Sequence, residues 1–155
     1  MAMTDAEKQN RINDTLREVI QVLIDGQEGF QTIGEHLKDD MLRRYFLAES
    51  LKRASFRADL ENELHRAGFH DVKESGTIAG TMRRSWGDLK AKLGGGDYTL
   101  LATAEQEEDS TKKVYSKAVQ EALPLPVHKM LSEQYAHIQT SHDYVRSARD
   151  RRKAA

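Results

Sequence analysis

Apolar residues return at three- and four-residue steps along four long stretches of the chain, the spacing that gathers side chains on one face of an α-helix. The first stretch carries Ile12, Leu16, Val19, Ile20, Leu23, Gln27, Phe30, Ile33 and Leu37. Thr4 followed by Glu7 has capping-box spacing, so a helix is predicted over residues 5–38. The second stretch carries Met41, Leu42, Tyr45, Phe46, Phe56, Leu60 and Leu64 and predicts a helix over 40–67, stopped by Gly68. The third carries Leu100, Leu101, Ala104, Tyr115, Ala118 and Val119 and predicts a helix over 97–123, with Asp97 as N-cap behind three glycines. The fourth carries Val127, Met130, Leu131, Ile138, Val145 and Ala148 and predicts a helix over 126–151, with Pro126 as its first residue. No stretch alternates with the period of two that a half-buried strand requires.

The connections suggest a topology. Lys38-Asp39-Asp40 and Leu123-Pro124-Leu125-Pro126 are short, so helices one and two, and helices three and four, are expected to form antiparallel hairpins. Roughly 28 residues separate the second long helix from the third, too many for a structureless loop in a compact domain. A short helical pattern over 78–93, with Trp86 and Leu89 as its apolar foot, resolves this. The expected fold class is therefore all-α: residues 1–155 as a single domain, a four-helix bundle with one long crossover, which is the ferritin-like arrangement.

Composition narrows the function. Hydrophobic residues make up 38% of the chain and charged residues 32%, so the apolar residues must be spent on stripes of long helices. A formal net charge of −1 gives no global attraction for nucleic acid or a membrane surface. Without cysteine there is no disulfide, thiolate nucleophile or cysteine-type zinc site. The N-terminus is polar and no segment approaches a membrane span, so a cytoplasmic protein is expected. Gly26 and Gly29 stand within the first helix, each at a cost of about 0.5–1 kcal/mol, and suggest close packing or a local bend there.

Several segments, taken in order, resemble a family. They are Asp25-Gly26-Gln27-Glu28-Gly29-Phe30, Arg84-Ser85-Trp86-Gly87-Asp88-Leu89-Lys90, Glu105-Gln106-Glu107-Glu108-Asp109, and Gln134 with His142-Asp143. Their order and spacing are similar to those of an uncharacterised bacterial family of about this length, a ferritin-like domain of unknown function. The resemblance covers nearly the whole chain. It implies the fold and a role in stress, and no reaction.

Ferritin-like di-iron proteins place one glutamate on each of two helices and a Glu-x-x-His pair on each of the other two. The match here is partial. Glu49 and Glu108 fall on the apolar faces of helices two and three, but Glu49 is followed by Lys52 and Arg53 where a histidine would stand. Helix four offers Gln134 and His137 at the motif's spacing, with His137 toward the flank and His142 better aimed inward. On helix one Glu28 lies in the matching segment but opposite the stripe, and Gln27 is expected to face inward. The expected arrangement is a metal-free polar core of Glu49, Arg53, Glu108, Gln134 and His142, with the guanidinium between the two carboxylates. The alternative is a metal site drawn from Glu28, Glu49, Glu108 and His142.

No nucleophile–base constellation stands out, so no catalytic residue is assigned. Gly94-Gly95-Gly96-Asp97 lacks the preceding strand and Lys-Ser/Thr of a phosphate loop. The basic tail Arg146, Arg149, Arg151, Arg152 and Lys153 suits the negative end of a helix dipole. His36, His65, His70 and His128 are expected to be solvated. The functional expectation is a non-catalytic bundle acting as a structural or interaction protein, partnered by a second copy (a dimer) or another protein, with no cofactor. A metal-dependent oxidase or iron-storage protein, with iron or another divalent metal, is the alternative.

Overall fold

The computed structural model describes residues 2–70, 72, 86 and 89–153, and all secondary structure among them is helical. In chain order the helices are α1 (Asp5–His36), α2 (Asp40–Arg66), a short α3 (Leu89–Lys92), α4 (Gly96–Ala118) and α5 (Leu125–Lys153).

The starts and stops follow local chemistry. Thr4 Oγ1 accepts the Glu7 amide at 3.1 Å, closing the predicted N-terminal cap. Asp39 caps α2 by accepting the Leu42 amide at 3.0 Å. Gly68 adopts φ +93°, and the amides of Gly68 and Phe69 reach back to the carbonyls of His65 and Leu64, so α2 ends where a glycine permits the left-handed turn.

Two expected boundaries are corrected. Asp97 does not cap its own helix, whose cap residue is Gly95 with no side-chain bond. Its carboxylate instead receives the amides of Lys38 and Asp39, at 2.8 and 3.0 Å, and holds the α1–α2 connection. Helix α4 ends at Ala118 rather than 123, because the amides of Gln120 and Glu121 turn to carbonyls three residues back and tighten the chain ahead of Pro124. Of the expected 78–93 helix, 78–85, 87 and 88 lie outside the described residues, as do Ser75-Gly76-Thr77; Trp86 and α3 are helical. Met41 is also corrected: it is 74% exposed, because the buried stripe of α2 is phased on Leu42 and Phe46.

Each long helix packs against two others: α1 on α2 and α4, and α5 on α4 and α2. Cross-helix pairs give the directions. Gly34 lies against Leu47 and Gly26 against Arg53, so α1 and α2 are antiparallel. Glu105–Arg149 and Tyr115–Gln134 make α4 and α5 antiparallel. Arg11–Glu121 at one end of α1 and Asp97 at the other make α1 and α4 antiparallel, and Arg152–Asp39 with the Tyr45–Tyr144 stack does the same for α2 and α5. Thus α2 ends at one end of the assembly and α4 begins at the other, and the chain between them has the whole length to cover.

The apolar interior has two parts. One gathers Leu16, Ile20, Leu60, Leu64, Tyr115 and Leu131 with their neighbours, and the other Phe30, Ile33, Phe46, Leu100, Leu101 and Val145. Trp86 packs against this second part, over Gly29, where an added Cβ would stand 2.4 Å from the indole. Alanine at Gly29 would gain up to about 1 kcal/mol of helix propensity but must displace the ring. As the chain has one tryptophan, Gly29→Ala should red-shift the intrinsic emission of the native protein while far-UV circular dichroism stays unchanged; an unshifted spectrum would refute this packing.

Candidate functional site: a charged layer across the helices

The stripes of the long helices stay continuous between the two apolar parts only when polar residues are counted in them. On α2, Phe46 is followed inward by Glu49, Arg53 and then Leu60; on α4, Ala104 is followed by Glu108, Thr111 and Tyr115; on α5, Leu131 is followed by Gln134, Ile138 and Ser141 with His142. At this level α1 supplies Gly26, where an added Cβ would meet Arg53 Nη1 at 3.3 Å. The missing side chain makes room for the guanidinium. Gln27, expected to face inward, is half-buried, and its carbonyl accepts the Ser50 hydroxyl at 2.7 Å.

Arg53 is wholly buried. Its Nε donates to Glu49 at 2.9 Å, its Nη2 donates to Glu108 in a short bond, and its guanidinium carbon sits 4.8 Å from the centre of the Phe30 ring. Glu49 and Glu108 are 4% and 1% exposed. Such a triad survives burial because the charges compensate one another and the guanidinium offers donors in two directions.

The two carboxylates are not equivalent. Glu49 also lies 2.9 and 3.0 Å from His137 Nε2, which must carry the proton because an ionised carboxylate only accepts. Burial alone would push Glu49 up, but His137 and Arg53 together reverse that and hold it below the usual carboxylate range. Glu108 has Arg53 alone, and its Oε2 has no hydrogen-bond partner among the described residues. Burial therefore prevails and pushes Glu108 up, against the pull of Arg53. One guanidinium cannot fully compensate two buried anions, and the less well-served anion binds a proton more readily. Nearby, burial pushes the Tyr45 hydroxyl up to about 12.

Of the residues expected in the polar core, Glu49, Arg53 and Glu108 meet as one group. Gln134 is buried but turned aside: it accepts from the Tyr115 hydroxyl at 2.7 Å and donates to the Phe56 carbonyl at 3.1 Å. His142 is buried at the edge of the layer, with Glu105, Asp109 and Asp143 as its polar neighbours. His137, placed on the flank by the helical wheel, is the histidine that joins the triad. Its signal was the Gln134-x-x-His137 spacing. Glu28, the remaining metal candidate, is exposed and lines an outer cleft with Trp86 and Lys90, so it is not part of this layer.

The sign of each shift sets a pH dependence. Glu49, depressed in the fold, contributes stability that is present above its ordinary value of 4.5 and lost as pH falls through the lower folded value. Glu108, raised in the fold, contributes stability that is present below 4.5 and lost as pH rises through the higher folded value. Glu49→Gln should cost about 2–3 kcal/mol at neutral pH and flatten the acid limb. Glu108→Gln should stay within about 1 kcal/mol of the parent at neutral pH and remove the loss on the rising side. Urea denaturation across the acid-to-neutral range reads both, and equal losses from the two substitutions would overturn the asymmetry.

A search of curated proteins returned no match to the chain. Residues 11–121 match a family of unknown function, a span that holds Glu49, Arg53 and Glu108 and stops short of Gln134, His137 and His142. With more than half of its length in that match, the chain belongs to the family described as Domain of unknown function (DUF2383).

Proposed function

We propose that this chain is a ferritin-like four-helix bundle that works as a non-catalytic interaction protein, with the centre that di-metal relatives of that fold use for chemistry closed by its own arginine. One observation carries the reading: Arg53, fully buried, bonds both Glu49 and Glu108. A cation between those carboxylates would have to displace the guanidinium that already bonds both of them, and like charges that close in a dry interior repel strongly. The helix directions, with α1 and α5 one way and α2 and α4 the other, support the ferritin-like assignment.

The interaction half of the reading rests on the outer face of α2. Met41, Ala48, Leu51, Ser55 and Ala58 are exposed at steps of seven, three, four and three residues, with Met41 and Leu51 74% and 71% exposed. Arg44 is exposed on the same face, within the step of seven, so the strip is mostly apolar with one arginine in it. Such a face on a highly charged chain suits a second copy presenting the same strip, in the two-fold pairing that most homodimers use. No helix among the described residues is long and apolar enough to cross a membrane.

Elemental analysis after exposure to iron or manganese tests the first half. The expected result is no ion whose retention depends on Glu49 or Glu108; two ions per chain, lost in Glu49→Gln and Glu108→Gln, would overturn the reading. Multi-angle light scattering tests the second. A dimer that Leu51→Glu converts to monomer is expected, and a strict monomer at high concentration would count against it.

A further inference from the structure

Beside the charged layer, at the α4–α5 seam, three potential ligands converge. Glu105 and Asp109 stand one turn apart on α4, and His142 faces them from α5; one oxygen from each carboxylate and a ring nitrogen all lie within 4.8 Å of one another. His142 Nε2 is 2.8 Å from Asp109 Oδ1 and 3.2 Å from Glu105 Oε1. Yet this nitrogen, on a residue only 3% exposed, makes no hydrogen bond, because neither oxygen is in line with it. The ring's other nitrogen, Nδ1, lies 3.1 Å from Asp143 Oδ1 and donates to it.

That pairing decides what Nε2 can do. With Nδ1 engaged by Asp143, Nε2 is the ring nitrogen left facing Glu105 Oε1 and Asp109 Oδ1, and no hydrogen bond among the described residues uses it. A carboxylate behind the far nitrogen of a histidine is also the support that fixes tautomer and raises basicity in metal-bound histidines. We infer that Glu105, Asp109 and His142 form a site for a single divalent transition-metal ion, with Asp143 orienting the histidine.

The distances agree with that chemistry. Separations of 2.8 and 3.2 Å subtend about 85° and 100° at an ion about 2.1 Å from each donor. These are the near-right angles of one face of an octahedron, with the remaining positions open to water. Arg149 holds the other oxygen of Glu105 at 3.0 Å, which leaves Oε1 for the ion. Asp109, with its side chain 49% exposed, leaves the site a route to solvent. The donor set of one nitrogen and two oxygens suits Mn²⁺, Fe²⁺, Co²⁺ or Zn²⁺ rather than Cu⁺. The site is separate from the Arg53 triad.

The full chain, stripped with a chelator, should be titrated with Zn²⁺ by calorimetry and with Co²⁺ by visible absorption. One ion per chain is expected, with the weak visible band of six-coordinate cobalt. Asp109→Asn, at a half-exposed position that leaves the fold unchanged by circular dichroism, and Glu105→Gln should each weaken binding at least tenfold, whereas Glu49→Gln should leave it unchanged. Absence of binding up to about 1 mM metal would overturn this inference and leave the closed centre intact. Equal affinity in Asp109→Asn would overturn it as well. Binding lost in Glu49→Gln but kept in Asp109→Asn would overturn both.

Discussion

The structure is organised around a guanidinium with no access to water. A buried arginine is tolerable only if each face of its fork finds a counter-charge, and here the counter-charges come from two helices at opposite corners of the assembly. Glu49 is held one turn before Arg53 on α2, and Glu108 is brought in from α4. Gly26 on α1 leaves the volume and Phe30 presents a ring face. Four residue choices on three helices thus answer one desolvation problem. The heights of those helices relative to one another follow from it, since a shift of one turn would leave a charge unpaired.

The fold was largely legible because the long helices carry their signals locally. Thr4, Asp39 and Gly68 cap or stop helices through groups within a few residues of themselves, so sequence spacing suffices to find them. Asp97 misled for the opposite reason: its carboxylate bonds amides 58 and 59 residues away, and local spacing gives no hint of a partner so distant. Met41 sits one position from Leu42 in the first turn of α2, where an apolar residue fits either phase until the neighbouring helices choose.

The charged layer was legible in part. Glu49, Arg53 and Glu108 occupy positions where the three-and-four rhythm demands an apolar residue, and a charge in such a place announces burial with a partner. What the rhythm cannot report is how far a side chain reaches. His137 lies off the centre of its stripe, and its ring still extends to Glu49. Gln134 lies on the stripe and turns its amide to Tyr115 and the Phe56 carbonyl. Glu105 and Asp109 stood out in the sequence only as part of a family-like segment, because their neighbour His142 comes from another helix and no local spacing reports it.

The division of the interior into two apolar compartments bears on how the molecule comes apart. Each compartment draws side chains from all four long helices, so neither hairpin holds a complete core of its own. Peeling α4 and α5 away from α1 and α2 would open both compartments and strand Arg53 from Glu108 in a single event. Unfolding is therefore cooperative along the full length of the rods, and amide hydrogens on either side of the charged partition should share one exchange limit rather than two.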